Sequence, residues 1–330
     1  MNTRRFDVTA IGNAIVDVIA QAEDSLLEQH NLPKGAMNLI DAATAEKLYA
    51  IMGPGKEASG GSAGNTVAGI AALGGRTAYI GKVADDQLGQ VFTHDIRAVG
   101  VTYDTAPLVG GLPTARSLIF VTPDAQRTMQ TFLGATTQLG PEDINMDYII
   151  SSKVVYLEGY LWDQPRAKRA MLDAALKARE HGVKVSLTLS DAFCVARFRD
   201  EFLELAEKHV DILFANESEI LSLYQTDDFD TALQHVRTHC EIAALTRSEK
   251  GSVVVNGNEV HVIDAVKGVK VVDTTGAGDA YAAGFLYAYT QGFDLATCGK
   301  LGSAMAAQVI SHYGPRSEVA DIRRIAASIL

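Results

Sequence analysis

Apolar positions along the chain fall into two rhythms that take turns. The run FDVTAIG reads as a short buried first strand ending at Gly12. In SAGNTVAGIAALGG the period changes: Val67, Ile70, Ala71 and Leu73 share one helical face, and Gly74-Gly75 suit the exit. RTAYIG returns to a strand. A helix follows with Leu88, Val91, Phe92, Ile96 and Val99 at helical spacing, stopping at Gly100. The same order recurs downstream. KVVYLEG (strand) precedes a helix through AKRAMLDAALKAREHG, then come VKVSLTL (strand), FRDEFLELAEKH (helix), and the strands VDILFAN and EIAALT. SVVVNGNEVHVI predicts a hairpin turning at Asn256-Gly257, and VKVVD a further strand before helices on either side of Gly292. Alternating strands and helices predict an α/β sandwich around a largely parallel sheet.

Two stretches break this order: AIVDVIAQ with GAMNLID, and TARSLIFVTPDAQRTMQTFLGAT, the latter a strand, a turn at Pro123-Asp124 and a second strand. Neither carries a companion helix in its pattern. Together they predict a small antiparallel sheet covering one end of the core. No internal repeat, low-complexity segment or linker divides the chain.

Composition narrows the classes. The 330 residues suffice for a well-buried core, and the net charge of -11 disfavours a nucleic-acid partner, since no basic stripe faces phosphates. Cys194, Cys240 and Cys298 are far apart and odd in number, which predicts reduced thiols rather than a zinc site or disulfide framework. The start MNTRRFDVTAIGNAIVDVIAQA resembles a leader, but Asp7, Asn13 and Asp17 interrupt its apolar run. No stretch is apolar enough to span a membrane, so a cytoplasmic protein is expected.

The chemistry centres on DTTGAGDAYAAG, Asp273 to Gly284. With a strand before and a helix after, Gly276, Ala277 and Gly278 fall at a helix N-terminus, where unpaired amides and a partial positive charge suit an anion. Asp279 in the first turn is placed to take a proton from an attacking hydroxyl. An isolated GxGD is more often a turn; the full string reverses those odds. The Walker pattern is absent, because Glu57 follows the Gly-Lys of GPGKEASGG. GxGxxG fails too, with Tyr281 at the third glycine position and only Gly12 after the first strand, so a dinucleotide-dependent dehydrogenase loses its support.

Four ordered blocks, GNAIVD, GGSAGNTVAGIAALGG, NESE and DTTGAGDAYAAGF, resemble the PfkB or ribokinase-like family of carbohydrate and nucleoside kinases over nearly the whole chain. The resemblance implies a Rossmann-like three-layer αβα core, residues 1–12, 41–106 and 137–330, with a β-sheet lid from 13–40 and 107–136. It also implies ATP-dependent γ-phosphoryl transfer to an alcohol. Asp279 would be the base, and the backbone of Gly276, Ala277 and Gly278 the anion hole. Asn13, Asp17, Gly61 and Asn65 match acceptor positions, and Gly60-Gly61 the lid hinge. Asn216 and Glu219 resemble the NxxE pair that organises magnesium through water. TRSEKG suggests Thr246, Ser248 and Gly251 near ATP; Asp273 and Thr275 match a loop that holds potassium in many members. Taken singly each has a plainer reading: a turn, a helix cap, a solvated side chain. Their joint order favours the functional one.

Within the family the segments LSDAFCVARFRDEFLELAEKHVDILFANESEI and LEGYLWD resemble adenosine kinases. That implies Tyr160 and Phe193 against the nucleobase, Met129 covering it and Arg127 facing the phosphates. It further implies AMP as product and a purine-salvage role, as a monomer or lid-mediated homodimer. Glu158 and Asp191 depart from the adenosine-kinase pattern, and Arg116 is another polar candidate beneath the lid; each could recognise a different hydroxyl or base edge. A ribose, fructose or related sugar as acceptor is the alternative. A non-catalytic nucleotide-binding regulator is a third reading, against which the intact acid and anion-hole residues argue.

Overall fold

The apolar runs become the larger of two sheets in the computed structural model, which describes residues 4–35, 37–124 and 126–330. Met1–Thr3 of the leader-like start, Ala36 of GAMNLID and Ala125 of the turn region lie outside the described residues. In chain order the strands are β1 (Phe6–Ile11), β2 (Ile15–Gln21), β3 (Met37–Leu39), β4 (Gly55–Gly60), β5 (Thr77–Ile80), β6 (Thr102–Tyr103), β7 (Ala115–Val121), β8 (Arg127–Phe132), β9 (Ser152–Glu158), β10 (Lys184–Thr188), β11 (Ile212–Asn216), β12 (Ile242–Thr246), β13 (Ser252–Asn256) and β14 (Glu259–Ile263). The larger sheet runs β14-β13-β12-β11-β10-β9-β1-β5-β6. It is parallel from β6 to β12 and ends in the antiparallel hairpin β13-β14.

Helices cover both faces of this sheet, and others accompany the smaller one. They are α1 (Asp24–Gln29), α2 (Ala42–Ile51), α3 (Ser62–Ala72), α4 (Gln87–Ala98), α5 (Met146–Ile150), α6 (Pro165–Glu180), α7 (Ala192–Arg197), α8 (Arg199–Lys208), α9 (Glu217–Tyr224), α10 (Phe229–His239), α11 (Ala277–Thr290), α12 (Leu295–Val309) and α13 (Val319–Ile329). Strand residues alternate between two cores. Val155, Leu157, Leu213 and Leu245 pack under α6 to α10, while Val154, Tyr156, Phe214 and Ala244 pack under α3, α4, α11 and α12. Both faces are buried, which is why these strands read as continuous apolar runs.

The smaller sheet departs from expectation in three ways. It is mixed rather than antiparallel, because β2 pairs β7 and β3 pairs β8 in parallel. Parallel neighbours need long connections, and the chain between β2 and β7 supplies one. It also takes in β4, whose sequence GKEASG is too polar to announce a strand; its pairing with β2 extends the sheet into residues grouped above with the core. Finally, a companion helix exists: α2 packs on β7 and β8. The strand expected over VKVVD does not form. There the Val272 and Asp273 amides donate to Ile310 O at the end of α12, at 2.8 and 3.3 Å, rather than to a strand.

Candidate active site

A cavity of about 410 Å³ opens where β1, β9, β10, β11 and β12 end, beneath the smaller sheet. Asn13, Glu158, Thr188, Asn216 and Thr246, each at or just past a strand's C-terminal end, line it. This is the crevice in which open parallel sheets bind ligands. Among the described residues, no helix is long and apolar enough to cross a membrane.

Helix α11 aims its N-terminus at the cavity. Gly276 adopts φ +76°, and a Cβ there would lie 2.7 Å from Pro315 Cβ, so only glycine fits. The Ala277 amide donates to Thr274 O at 3.2 Å, whereas the Gly276 and Gly278 amides have no acceptor among the described residues. Of the three amides expected to form an anion hole, two are therefore available. A Cβ on Gly278 would meet nothing within 4 Å, so this residue borders open space. Within the first turn of α11, Asp279 accepts from Ser62 Oγ at 2.6 Å and from Asn65 Nδ2 at 3.1 Å. It lines the cavity, and burial pushes its carboxyl up to about 6 against the pull of those two donors and of Arg316.

The acceptor side is built by close backbone approaches. Gly61 caps α3 at φ +85°, and a Cβ would lie 2.1 Å from Asn13 O. On Gly60 a Cβ would lie 2.4 Å from Asp17 Oδ2. The glycine pair thus makes room for Asn13 and Asp17, apart from any hinge role. Asp17 is buried, lines the cavity and has no hydrogen-bond donor among the described residues; burial pushes it up to about 6. Glu158 is engaged by the protein itself. It accepts from Asn13 Nδ2 at 2.7 Å, Asn13 N at 3.3 Å and Ala63 N at 2.9 Å, tying β9 to β1 and to the start of α3. Burial nonetheless pushes it up to about 7. Asn13 in turn accepts from Thr136 Oγ1 at 3.0 Å.

On the phosphate side, Asn216 and Glu219 cap α9 reciprocally. Glu219 N donates to Asn216 Oδ1 at 2.9 Å, and Asn216 N and Nδ2 donate to Glu219 at 2.9 and 2.6 Å. Both line the cavity, and burial pushes Glu219 up to about 7. The Glu219 carboxylate fits magnesium held mainly by water and phosphate oxygens; no group of three or more potential ligands exists among the described residues. The Asp273 carboxylate does not fit potassium: it is ion-paired with Arg127 and accepts from Thr275 N and Gly314 N, both at 3.0 Å. Arg127 also donates to Thr275 Oγ1 at 2.8 Å, so it joins β8 to this loop rather than lining the cavity. Thr246 and Thr275 line the cavity; Ser248 and Gly251 lie beyond it. Gly251, at φ +83°, would place a Cβ 2.0 Å from Ile263 O, which gives it a structural reason of its own.

Met129 and Tyr160 line the cavity, and Tyr160 is tethered to Ser190 through its amide (3.1 Å) and its hydroxyl (3.2 Å). Phe193 does not line it: the side chain sits on α7, 84% exposed. Arg116 is on the wrong face of β7. Ser117 and Ile119 border the cavity, so Arg116 points to α2, where it meets Glu46 and lies 5.6 Å from the Tyr49 ring. Asp191 lines the cavity while capping α7 through Cys194 N at 2.6 Å. Sequence reasoning missed Ser62, which stood unremarked in GGSAGN, and Arg316, for which the sequence carried no signal.

Comparisons agree with this architecture. The crystal structure of an adenosine kinase from Sinorhizobium meliloti is 58% identical, superposes with a TM-score of 0.91, and covers 98% of this chain and 99% of its own. A probable sugar kinase from Rhizobium etli is 56% identical, also with a TM-score of 0.91, covering 98% of each chain. Among curated relatives, a 5-dehydro-2-deoxygluconokinase from Lacticaseibacillus casei is 28% identical across 99% of this chain and 96% of its own. An uncharacterized sugar kinase from Archaeoglobus fulgidus is 30% identical across 75% of this chain and 96% of its own. The model of the pfkB family carbohydrate kinases matches residues 7–322. The chain belongs to the pfkB family, and is thus an ATP-using phosphotransferase with an alcohol group as acceptor.

Proposed function

We propose that the protein transfers the γ-phosphoryl group of ATP to the 5'-hydroxyl of a nucleoside, with adenosine as the acceptor and AMP as product. The observation that carries this reading is the cavity's ceiling. Ile15, Met37, Leu39, Ile119, Met129 and Leu133 give it an apolar lining opposite Asp279, which suits a flat base better than a free sugar's ring of hydroxyls. The 58% identity to an adenosine kinase supports it further.

In this mechanism Asp17, which has no hydrogen-bond donor among the described residues, takes the ribose hydroxyls, with Asn13 and Asn65 lining the same cavity. Asp279 receives the 5'-hydroxyl proton as that oxygen attacks phosphorus, and the Gly276 and Gly278 amides hold the charge on the moving phosphoryl group. Magnesium, bound near Glu219 through water, would neutralise the ATP phosphates. Positioning and electrostatics supply most of the acceleration.

A sugar acceptor is the second reading. Ser190, Asp191, Arg197 and Asp163 place polar groups on the wall beside Tyr160, and curated relatives are named as sugar kinases. An ADP-release screen across adenosine, other nucleosides, ribose, fructose and 5-dehydro-2-deoxygluconate decides between the two. Adenosine is expected to give the highest kcat/KM; a sugar that exceeds every nucleoside overturns the proposal.

A further inference from the structure

Behind the cavity, the loop between α12 and α13 sends one arginine into the wall. Arg316 donates from Nε to Asn65 Oδ1 at 2.9 Å and from Nη1 to Ser59 Oγ at 2.8 Å. Nη1 also lies 3.6 Å from Asp95 Oδ2, which accepts from Ser59 N and Oγ at 2.7 and 2.6 Å. One guanidinium therefore bridges β4 of the smaller sheet, α3 and α4. Its side chain is 21% exposed, and Nη2 is buried without an acceptor among the described residues.

A guanidinium has donors only, so the atom of Asn65 that faces Arg316 must be the amide oxygen. That leaves Asn65 NH2 to face Asp279, where it donates at 3.1 Å. The orientation of the amide is thus dictated from behind. An NH2 group cannot accept a proton from a carboxylic acid. Asp279 is consequently met by a donor at each oxygen, Asn65 at one and the Ser62 hydroxyl at the other, an arrangement that matches a carboxylate.

Charge points the same way. Asp17, Glu158 and Asp279 border one cavity, with the Tyr156 and Tyr160 hydroxyls nearby. Arg316 is the cation acting on Asp279 and, with Arg127 from β8, one of two acting on Asp17; Asp95 and Tyr79 complete its own surroundings. We propose that Arg316 is a positioning residue for phosphoryl transfer: it turns the Asn65 amide toward Asp279, and its charge lets Asp279 remain a carboxylate beside Asp17 and Glu158. This rests on the reading of Asp279 as the base.

The test compares wild type with R316M and R316K in two readouts: the pH profile of kcat/KM, and the melting temperature across pH 5 to 8. In R316M, kcat/KM at pH 7 is expected to fall about tenfold or more, with its acid limb displaced upward by about one pH unit, the scale of one nearby charge. The KM for ATP is expected to stay within about twofold, since no contact of Arg316 is to the phosphate side. R316M should also be destabilised more at pH 8 than at pH 5. Acids held above their unfolded values oppose folding once ionised, and removing the cation worsens this. R316K keeps the charge but not the fork, so its acid limb should stay near wild type while kcat drops about three- to tenfold. An R316M acid limb that does not move, together with a melting difference that is flat in pH, overturns the proposal. If R316M does not fold, R316K carries the test, and wild-type kcat in R316K overturns positioning through Asn65. If no nucleoside is phosphorylated, the profile is taken with the acceptor that is, and only the nucleoside reading falls. If Asp279→Asn retains turnover, the base reading falls while the melting series still reports on Arg316.

Discussion

The floor of the cavity and its ceiling are made of different materials. On the floor, Asp279 is held by hydrogen bonds from Asn65 and Ser62, and the α11 terminus by Gly276, where Pro315 leaves no room for a Cβ. The ceiling presents Ile119 and Met129 from a mixed sheet, with Leu133 just past β8, and is tied to the core by Arg127 with Thr275 and Asp273 and by Ser59 of β4 with Arg316 and Asp95. Hydrogen bonds are directional and tolerate little displacement, whereas apolar contacts accept many shapes. The floor accordingly suits one reaction, and the ceiling is where acceptors can differ. Relatives of this chain fit that division: they share the family's fold while their names give different acceptors.

The largest effect should come from breaking the floor. Asp279→Asn keeps shape and removes the proposed base, so turnover by ADP release should fall by about 10²-fold or more, with the melting temperature near wild type. The same carboxyl gives the pH dependence its sign. The proposed base must be unprotonated to act, and burial raises the Asp279 carboxyl to about 6, so kcat/KM should decline as pH falls through about 6. Stability should run oppositely. Asp17 and Asp279 are both raised to about 6, and their contribution to folding is present below the unfolded carboxylate range and lost as pH rises through about 6.

A smaller effect separates two kinds of glycine. Gly61→Ala places a Cβ against Asn13 O at 2.1 Å in a backbone of φ +85°, so it should lower the melting temperature and raise the acceptor KM. This positive-φ, extended backbone alone costs about 1–3 kcal/mol for a residue other than glycine. Gly278→Ala meets no protein atom within 4 Å, and should leave the melting temperature unchanged while slowing turnover. Equal melting losses in the two variants would mean that Gly278 is also a packing glycine.

How much of this could be read from the chain follows the same division. The larger sheet was legible because its strands are buried on both faces and punctuated by helices of clear period. The hairpin at Asn256-Gly257 was legible from its turn residues, and Gly257 indeed takes φ +54°. VKVVD looked like a strand because Val269, Val271 and Val272 are β-branched, yet its Val272 and Asp273 amides donate to the end of α12 instead of to a neighbouring strand. β4 went unseen because its partner, not its own polarity, makes it a strand. In the site, the late glycine string named Asp279. Sequence order could not tell that Glu158 is held by Asn13 and Ala63, that Arg127 ion-pairs with Asp273, or that Arg316 lies behind Asn65; those contacts span 95 to 251 positions along the chain. Helical and strand periods do not encode such separations.

The ceiling offers the finest test, because two aromatics proposed for the same task sit in opposite environments. Tyr160 borders the cavity and is fixed at both ends by Ser190, a residue held at φ +73°. Phe193, one helix onward, is 84% exposed and outside the lining. A stacked ring is worth about 0.5–1.5 kcal/mol beyond its buried area. Tyr160→Ala should therefore raise the nucleoside KM about three- to tenfold and leave the KM for ATP nearly unchanged. Phe193→Ala should alter neither by more than about twofold, since no cavity contact is removed. Equal losses for nucleoside and ATP in Tyr160→Ala would reduce Tyr160 to a wall residue, and the case for a base over a sugar would then rest on the aliphatic ceiling alone. A Phe193→Ala effect as large as that of Tyr160→Ala would instead require α7 to swing inward when the acceptor binds, making the ceiling the part of the cavity that moves.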